Sequence, residues 1–443
     1  MQRLVKIIAV IAILKISFFT PGVVFAQVYD KIFSLREAID MALTNNSLIN
    51  EAIEKQRAAI QEKKVANREF LPKASASYSY TKLKDNPYAV FGLSKIVVGP
   101  EDNYHWNVSL MQPLFTGFAL LTKQKIANLG LEIKGLEKKQ ALLDVIKETK
   151  VAYFNILLTK KFLMVANEAV SQLDSHREDA EKFYKQGMIP YNDLLKTEVA
   201  LANALQNRVK AESNVEMAVS SLNTIIGVDI NKKSDIVDAL NIEPSEHDLG
   251  NLFDKAKKNR PELKMLYLAL KNSDNVIRLA KSAYYPQIAL VARYEQSGDN
   301  PEATNNDYAN VHNTSITLQA KWTFFEWGKK RAEVKKYYYN KLSMIEKVKG
   351  VEDSIMLEVK NAFLNIKVAK KNIQTAKESL VQAKENYRIT NLQYQQQMTT
   401  STEVLDARTF LTQAETNYYS ALYGYMVSMA ELDRAIGKRG FES

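Results

Sequence analysis

Hydrophobic and polar positions follow the same pattern twice along the chain. Equivalent positions are 214 residues apart near the start of each repeat and 210 residues apart further on. The matched pairs include Leu35 with Leu249, Pro72 with Pro286, Tyr184 with Tyr394, and Gly227 with Gly437. An internal repeat sets the architecture of a chain. Because each unit is far longer than a solenoid repeat, the pattern indicates a duplicated domain.

The helices are predicted from their periodicity and from long stretches without glycine or proline, between Gly135 and Gly187 and between Gly350 and Gly424. In the first repeat they cover residues 34–70, 115–186 and 190–226, and in the second residues 249–285, 326–397 and 401–436. Periodicity unbroken for more than about 25 residues is typical of coiled coils. The helix over 190–226 also has an apolar seam, formed by Leu194, Leu201, Leu205, Leu222 and Ile226. We therefore expect the long helices to pack as coiled coils.

Two features mark the first helix of each repeat. Ser34 precedes Glu37 at the spacing of a capping box, which predicts a helix start. Asn45-Asn46 and the matching Asn259-Arg260-Pro261 interrupt the helical pattern at equivalent places.

After Pro72 and Pro286 the period changes from that of a helix to that of a strand. Apolar and polar residues alternate near residues 73–82, 104–114, 287–296 and 312–325. This alternation, rich in aromatic residues, predicts strands with one apolar and one polar face. The stretches 83–103 and 297–310 contain glycine and proline and are predicted to be loops.

Residues 1–26 predict a secretory signal peptide, with basic residues, an apolar run and the ending Val24-Phe25-Ala26. The alternative is an uncleaved N-terminal helix. Residues 27–232 and 249–443 form the two repeats, and residues 233–248 are predicted to be an exposed, partly irregular linker. The chain has no cysteine, so neither disulfides nor a lipid-modified cysteine is available.

Composition narrows the possible chemistry. Lysine and arginine total 60 against 50 acidic residues, but the charges are interspersed along helices, as on solvated helix faces. We expect no nucleic-acid partner. The four histidines are scattered without metal-ligand spacing. With no nucleophile motif or phosphate loop, we expect neither enzymatic activity nor a cofactor or metal.

Strand length points to a membrane. About nine to eleven residues suffice for a tilted strand to cross a bilayer. Backbone polar groups in lipid must all be paired, so an open sheet of four strands cannot stand there alone. The chain would share its strands with further copies, two giving eight strands and three giving twelve. The alternative is a soluble protein with a small sheet attached to long helices.

Four short motifs stand at matching places in the two repeats, and a fifth occurs only at the second tip. They are Leu114-Phe115-Thr116-Gly117, Phe324-Phe325-Glu326-Trp327-Gly328, Leu222 to Gly227, Leu432 to Gly437, and Glu403-Val404-Leu405-Asp406. In their order, the chain resembles the TolC family of outer-membrane efflux channels over essentially its whole mature length. The resemblance implies a mainly α fold with a β-barrel portion. It implies a homotrimer in which a 12-stranded outer-membrane β-barrel continues into a periplasmic α-helical barrel.

The resemblance also assigns roles at the turns between the long helices. Glu403 and Asp406 match acidic positions that narrow the family's periplasmic aperture, where three copies would favour cations. The alternative is that they are solvated acids complementing a helix dipole.

Tyr394, Asn192 and Asp193 match positions that hold the family's tip shut, while Thr399 stands at the family's arginine position. Without that arginine, the gate would rest on weaker hydrogen bonds or on contacts elsewhere. The positions that match adaptor docking are Gly187, Met188, Gln397 and Met398. Gly187 suits a turn with positive φ, from which Gln397 departs. The alternative for the methionines is simple turn packing.

The sequence therefore predicts an outer-membrane exit duct of a tripartite efflux or type I secretion system, passive and gated at its periplasmic tip. Its partners would be a periplasmic adaptor, an inner-membrane pump of the RND or ABC type, and outer-membrane lipid. The alternative is a non-channel periplasmic coiled-coil structural or adaptor protein. Metal-ion efflux gains no support from four histidines and no cysteine.

Overall fold

The computed structural model describes residues 32–238 and 248–439, so the signal peptide expected over residues 1–26 lies outside it. The described chain is mainly helical. The first repeat contains α1 (Leu35–Asn45), α2 (Ser47–Arg68), α3 (Ala119–Lys185) and α4 (Tyr191–Ile226). The second contains α5 (Leu249–Asn259), α6 (Pro261–Lys281), α7 (Lys329–Gln395) and α8 (Ser401–Ala435). No helix in these ranges is both long and apolar enough to cross a membrane.

Capping side chains define the first helices. Glu37 N donates to Ser34 Oγ at 3.2 Å, and Ser34 N donates to Glu37 Oε2 at 3.0 Å, which completes a capping box. The stretches 34–70 and 249–285 are each two helices rather than one. Asn46 and Arg260 adopt extended ψ angles of 132° and 118°, and each separates two helices. Pro261 adds to the break, because proline restricts the residue before it.

The strands are β1 (Ile32–Phe33), β2 (Lys73–Lys82), β3 (Tyr88–Phe91), β4 (Ser94–Val97), β5 (Asp102–Phe115), β6 (Asp235–Ile236), β7 (Gln287–Gly298) and β8 (His312–Lys321). The main sheet has the order β2-β5-β7-β8 and is antiparallel throughout. Its central pair, β5 and β7, joins the two repeats. Within the described residues, β2 and β8 are edge strands with one open side each.

The main sheet has one apolar and one polar face. One row of paired residues is apolar, namely Ala74, Leu110, Ala292 and Ile316. The next row is polar, namely Ser75, Ser109, Arg293 and Ser315. The apolar face is uncovered in the single chain, since Ile316 is 74% exposed.

Two sequence predictions about strand and loop boundaries are wrong. Residues 83–103 are not simply a loop, because they contain the β3–β4 hairpin, whose turn includes Gly92 at φ +63°. The last strand does not continue to residue 325, because β8 and its ladder to β7 end at Lys321.

The long helices begin later than expected. Residues 115 and 326 were predicted as their starts, yet α3 begins at Ala119 and α7 at Lys329. Left-handed residues precede each start, among them Gly117 at φ +63° and Gly328 at φ +83°. These conformations redirect the chain between the sheet and the helix, and glycine adopts them without a steric cost.

The start of the linker is ordered and only partly exposed: Lys233 and Asp235 are exposed, whereas Ser234 is buried. β6 pairs in parallel with β1, and Ile236 is buried. The Tyr153 hydroxyl donates to the Val237 carbonyl at 2.7 Å, which ties this strand to α3. Residues 239–247 lie outside the described residues.

Each repeat has its own apolar core where its short helices meet its long hairpin. The first core includes Ile49, Val145, Ile156, Leu222 and Ile226, and the second includes Leu263, Ile355, Val359, Leu432 and Ile436. Between the repeats, α3 packs against α6 and α8.

The buried seam of α4 matches the predicted one in part, since Leu194, Leu222 and Ile226 are buried. Leu205 is 38% exposed, so it does not belong to the seam. Between Leu194 and Leu222, the buried positions follow a seven-residue spacing of small residues, Thr197, Ala204, Ala211 and Ala218. A seven-residue spacing keeps one stripe facing a coiled-coil partner, here α3.

Candidate functional site

The two long hairpins, α3–α4 and α7–α8, turn back through the same backbone geometry. Gly187 has φ +72° and Gln397 has φ +61°. In both turns the N–H of this residue donates to the carbonyl three residues earlier at 2.8 Å, and the next N–H donates to the carbonyl five residues earlier at 2.9 and 2.8 Å. This is the Schellman pattern. Gln397 adopts the left-handed conformation at a cost of about 1 kcal/mol.

The exposed methionines follow these residues directly. Met188 is 53% exposed and Met398 is 75% exposed. The side-chain amide of Gln397 lies 2.6 Å from the Met188 sulfur, so the two turns touch. The structure brings these four docking candidates together at one end, and their role in docking stays a prediction.

Tyr394 lies in the interior just above the second turn. Its ring centroid is 4.5 Å from that of His176 and 5.5 Å from that of Phe183. Burial, reinforced by the carboxylates of Asp179 and Asp193, raises the pKa of Tyr394 to about 12. Its phenol is therefore neutral at physiological pH.

Asp193 and Asn192 lie in the first turn of α4. Asp193 Oδ1 accepts from Lys196 Nζ at 3.1 Å, and Asn192 is exposed. Within the described residues neither side chain is hydrogen-bonded to Tyr394. The structure thus places Asp193 within electrostatic reach of Tyr394 without a direct link.

Glu403 and Asp406 lie at the start of α8. The backbone N of Glu403 donates to Thr400 Oγ1 at 3.4 Å, which caps the helix. Both acidic side chains are exposed, and in the described part of the chain neither forms an ion pair. Three residues of separation place them on the same side of the helix.

Sequence reasoning missed a contact between the hairpins. His176 Nε2 lies 2.8 Å from Ser401 Oγ, which joins α3 to α8. His176 is 2% exposed, and burial lowers its pKa to about 4, opposed by Asp179. A signal was available, because Ala169, Leu173, His176 and Ala180 follow the 4-3-4 spacing of a coiled-coil core.

Sequence reasoning also missed a buried ion pair within α8. Arg408 Nη2 lies 3.3 Å from Glu415 Oε2, with side chains 3% and 5% exposed. Arg408 Nη1 also donates to Gln172 Oε1 at 2.7 Å, across to α3. Burial raises the pKa of Glu415, and the charge of Arg408 opposes that rise. Val404, Arg408, Leu411 and Glu415 again follow a 4-3-4 spacing.

Near the tip, the hairpins are joined by hydrogen bonds. These are His176 to Ser401, Arg408 to Gln172, Lys196 to Thr402, and Gln395 to Asp179. Within the described residues none of these four contacts pairs two opposite charges. In three of the four, one partner is charged, namely Arg408, Lys196 or Asp179, and such a hydrogen bond is stronger than one between neutral groups. Thr399 is half-buried and takes part in none of the four.

The described residues contain no grouping of three or more histidine, aspartate or glutamate side chains that could hold a metal ion.

The antiparallel sheet has one apolar and one polar face and is joined to two helical hairpins roughly 100 Å long. Together these features define a class of outer-membrane channel proteins. The outer membrane efflux protein family matches residues 38–228 and 252–438, and the chain belongs to this family. This confirms the resemblance found in the sequence. Membership of this family assigns the chain to the outer membrane, since the family consists of channels that extend into the periplasm.

Known relatives share the fold at low sequence identity. The outer membrane protein TolC of Escherichia coli K12 is 23% identical over 305 residues, which are 66% of this chain and 61% of TolC. The match thus spans less than two thirds of TolC. The Campylobacter jejuni outer membrane channel CmeC superposes with a TM-score of 0.80 at 18% identity, over 92% of this chain and 86% of CmeC. The open state of the Neisseria gonorrhoeae channel MtrE gives 0.74 at 18% identity, over 92% and 91%.

Proposed function

We propose that the protein is the outer-membrane exit duct of a tripartite efflux or type I secretion system. Three copies form a 12-stranded β-barrel that continues into a periplasmic α-helical barrel. The duct is passive and is gated at its periplasmic tip. It works with a periplasmic adaptor and an inner-membrane pump of the RND or ABC type, which supplies the energy.

The open edges of the sheet are the observation that carries this proposal. β2 and β8 each have one unpaired side within the described chain. Backbone groups in lipid must be paired, so β8 of one copy pairs with β2 of the next. Three copies give twelve strands, enough for an aqueous lumen, whereas eight are filled by side chains. The apolar face then meets lipid and the polar face meets water.

Exposed apolar stripes on the helices also support the assembly of three copies into a closed barrel. On α4 the stripe consists of Leu195, Val199 and Val209, and on α7 it consists of Leu357, Leu364, Val368, Val381, Ile389 and Leu392. The spacings are those of a coiled-coil seam. Because α3 and α8 already pack against each other, α4 and α7 lie on the free flanks, where α7 of one copy meets α4 of the next.

The tip supplies the gate. Three copies of the exposed Glu403 and Asp406 form an acidic ring that favours cations. Tyr394, Asn192 and Asp193, with the hydrogen bonds between the hairpins, hold the tip closed. The touching turns, with Gly187, Met188, Gln397 and Met398, dock on the adaptor.

Planar-bilayer recordings of the purified protein test the gate. Replacing Glu403→Ala together with Asp406→Ala should reduce cation selectivity and change the conductance, since the ring of negative charge is lost. Glu54→Ala on α2, an exposed acid remote from the tip, is the matched control. Conductance and selectivity unchanged in the double variant would remove the aperture assignment.

Two simpler observations test the duct itself. A channel of this kind requires detergent for solubility and runs as a heat-stable trimer on a gel. Soluble behaviour without detergent, and no trimer, would favour the non-channel coiled-coil alternative.

A further inference from the structure

The polar face of the main sheet has an unequal distribution of charge. Along this face the charged residues are Lys73, Arg293, Glu295 and Lys321. Arg293 Nη1 and Glu295 Oε1 pair with each other at 3.1 Å. Lys73 and Lys321 have no acidic partner among the described residues, so the face has a positive excess.

Both unpaired lysines lie at the end of the sheet nearest the helices. Lys73 is the first residue of β2 and Lys321 is the last residue of β8. Because β2 and β8 are the two edge strands and run antiparallel, closure of the barrel brings Lys321 of one copy to the same rim as Lys73 of the next.

A cavity of about 320 Å³ opens at this rim, between the sheet and the first turns of α3. Lys73, Lys123 and Lys321 all line it, and Glu69 is the only acid among the described residues of its lining. Glu69 Oε2 is already paired with Lys123 Nζ at 2.8 Å. The cavity therefore has two lysines free to bind, and neutral residues such as Gln287 and Gln319 between them.

We propose that this rim is an anion-binding ring inside the duct, which takes solutes bearing phosphate, sulfate or carboxylate groups. The proposal rests on the proposed function, since only a closed barrel turns the polar face toward water. Rings of lysine or arginine are the device by which pores select anions and phosphates, and a narrow passage focuses their field. The duct then has charge of opposite sign at its two ends: acidic at the tip and basic at the base of the barrel.

The test is block of single-channel current by inorganic tripolyphosphate in a bilayer of zwitterionic lipid. Addition from the barrel side should block the wild-type channel. In the Lys73→Gln/Lys321→Gln double variant, the concentration needed for half block should rise by about tenfold or more, because the unpaired cations are gone. Lys82→Gln is the matched control, since Lys82 lies on the same strand at its other end and on the opposite face. It should leave the block within about twofold of wild type.

Each outcome is decisive, and the two proposals fail separately. A wild-type channel that conducts but is not blocked overturns the anion ring and leaves the duct. Equal block in the double variant and the wild type overturns it as well. If anionic lipid in the bilayer abolishes the effect from either side, the lysines bind lipid headgroups and the luminal site is overturned. A folded trimer that never conducts overturns the duct itself.

Discussion

The two repeats stabilise the end of their returning helices with different side chains at equivalent positions. In the first repeat, the amide of Asn46 donates to the Ile225 carbonyl at 2.9 Å. In the second, the guanidinium of Arg260 donates to the Arg434 and Ala435 carbonyls at 3.3 Å. Positions 46 and 260 are related by the repeat offset, as are positions 225 and 435. Both side chains donate to carbonyls at the end of a helix, but one donor is a neutral amide and the other is a charged guanidinium.

The charged version draws in further groups. Arg260 pairs with Glu262 at 3.1 Å and with Glu358 at 2.9 Å. Arg434 pairs with Glu262 at 2.6 Å and with Asp144 of the first repeat at 2.5 Å. The contact of Arg260 with the end of α8 is therefore part of a network of ion pairs that also connects the two repeats. Loss of one member leaves partly buried charges without partners, which is costly.

The largest expected effect follows from this difference. Arg260→Ala should destabilise the protein by about 3 kcal/mol, near the lower end for a buried pair because Glu358 is half-exposed. Asn46→Ala should cost about 1–2 kcal/mol, since it leaves one neutral acceptor unsatisfied. Thermal unfolding of the detergent-solubilised protein, followed by far-ultraviolet circular dichroism, ranks the two.

Arg388→Ala is the control, because among the described residues Arg388 pairs only with the neighbouring Glu385 at the surface of α7. Its unfolding midpoint should stay near that of the wild type. If Asn46→Ala lowers the midpoint as much as Arg260→Ala, the difference between the two contacts is not energetic.

The hairpins also differ in a buried titratable group. His176 of α3 is buried, and the equivalent residue of α7, Asn386, is exposed. Because the pKa of His176 is lowered from 6.5 to about 4, the unfolded chain binds the proton more readily than the folded chain within that window. Stability should therefore fall as the pH drops from 6.5 toward 4, by on the order of 3 kcal/mol in full.

His176→Gln should remove this part of the pH dependence, measured as the difference in unfolding midpoint between neutral pH and pH near 4.5. Ser401→Ala removes the hydrogen bond to His176 but not the titration, so it should lower stability at every pH with the same slope as wild type. Identical slopes in the wild type and His176→Gln would falsify the assignment.

The smallest expected effect concerns the turns. Gly187→Ala should destabilise by about 1 kcal/mol, because alanine resists positive φ even though nothing lies close to its added Cβ. Gln397→Gly should stabilise the protein by up to about 1 kcal/mol, since glycine adopts the left-handed conformation without the strain that glutamine has there. Unfolding midpoints that shift in the same direction for both variants would contradict equivalent turns.

The family and the mainly helical fold could be predicted from the sequence, because the repeat and the change of period after each proline are strong local signals. The pairing of β5 with β7 could not, since nothing local in either strand specifies a partner in the other repeat. The β3–β4 hairpin was missed because its strands are only four residues long and lie among glycine and proline.

At the tip, too, only some of the residues could be predicted from the sequence. The role of Glu403 and Asp406 was predicted from a motif and stays a prediction. His176, Arg408 and Glu415 were missed because polar residues were taken to be exposed. Their coiled-coil spacing carried the information. The left-handed conformation of Gln397 had no signal in its residue type, because the turn geometry is imposed by the hydrogen bonds around it.

The pairing of β5 with β7 also governs the order of events during folding. The ladder joins Tyr104 to Gly298 at one end and Phe115 to Ile288 at the other, across most of the length of the first repeat. Both repeats must therefore be available before the sheet can assemble, while each α-helical hairpin forms from its own neighbouring sequence. Contacts between such distant segments form slowly. The chain should pass through a stage with its helices formed and its lipid-facing strands still unpaired, when it depends most on protection from aggregation.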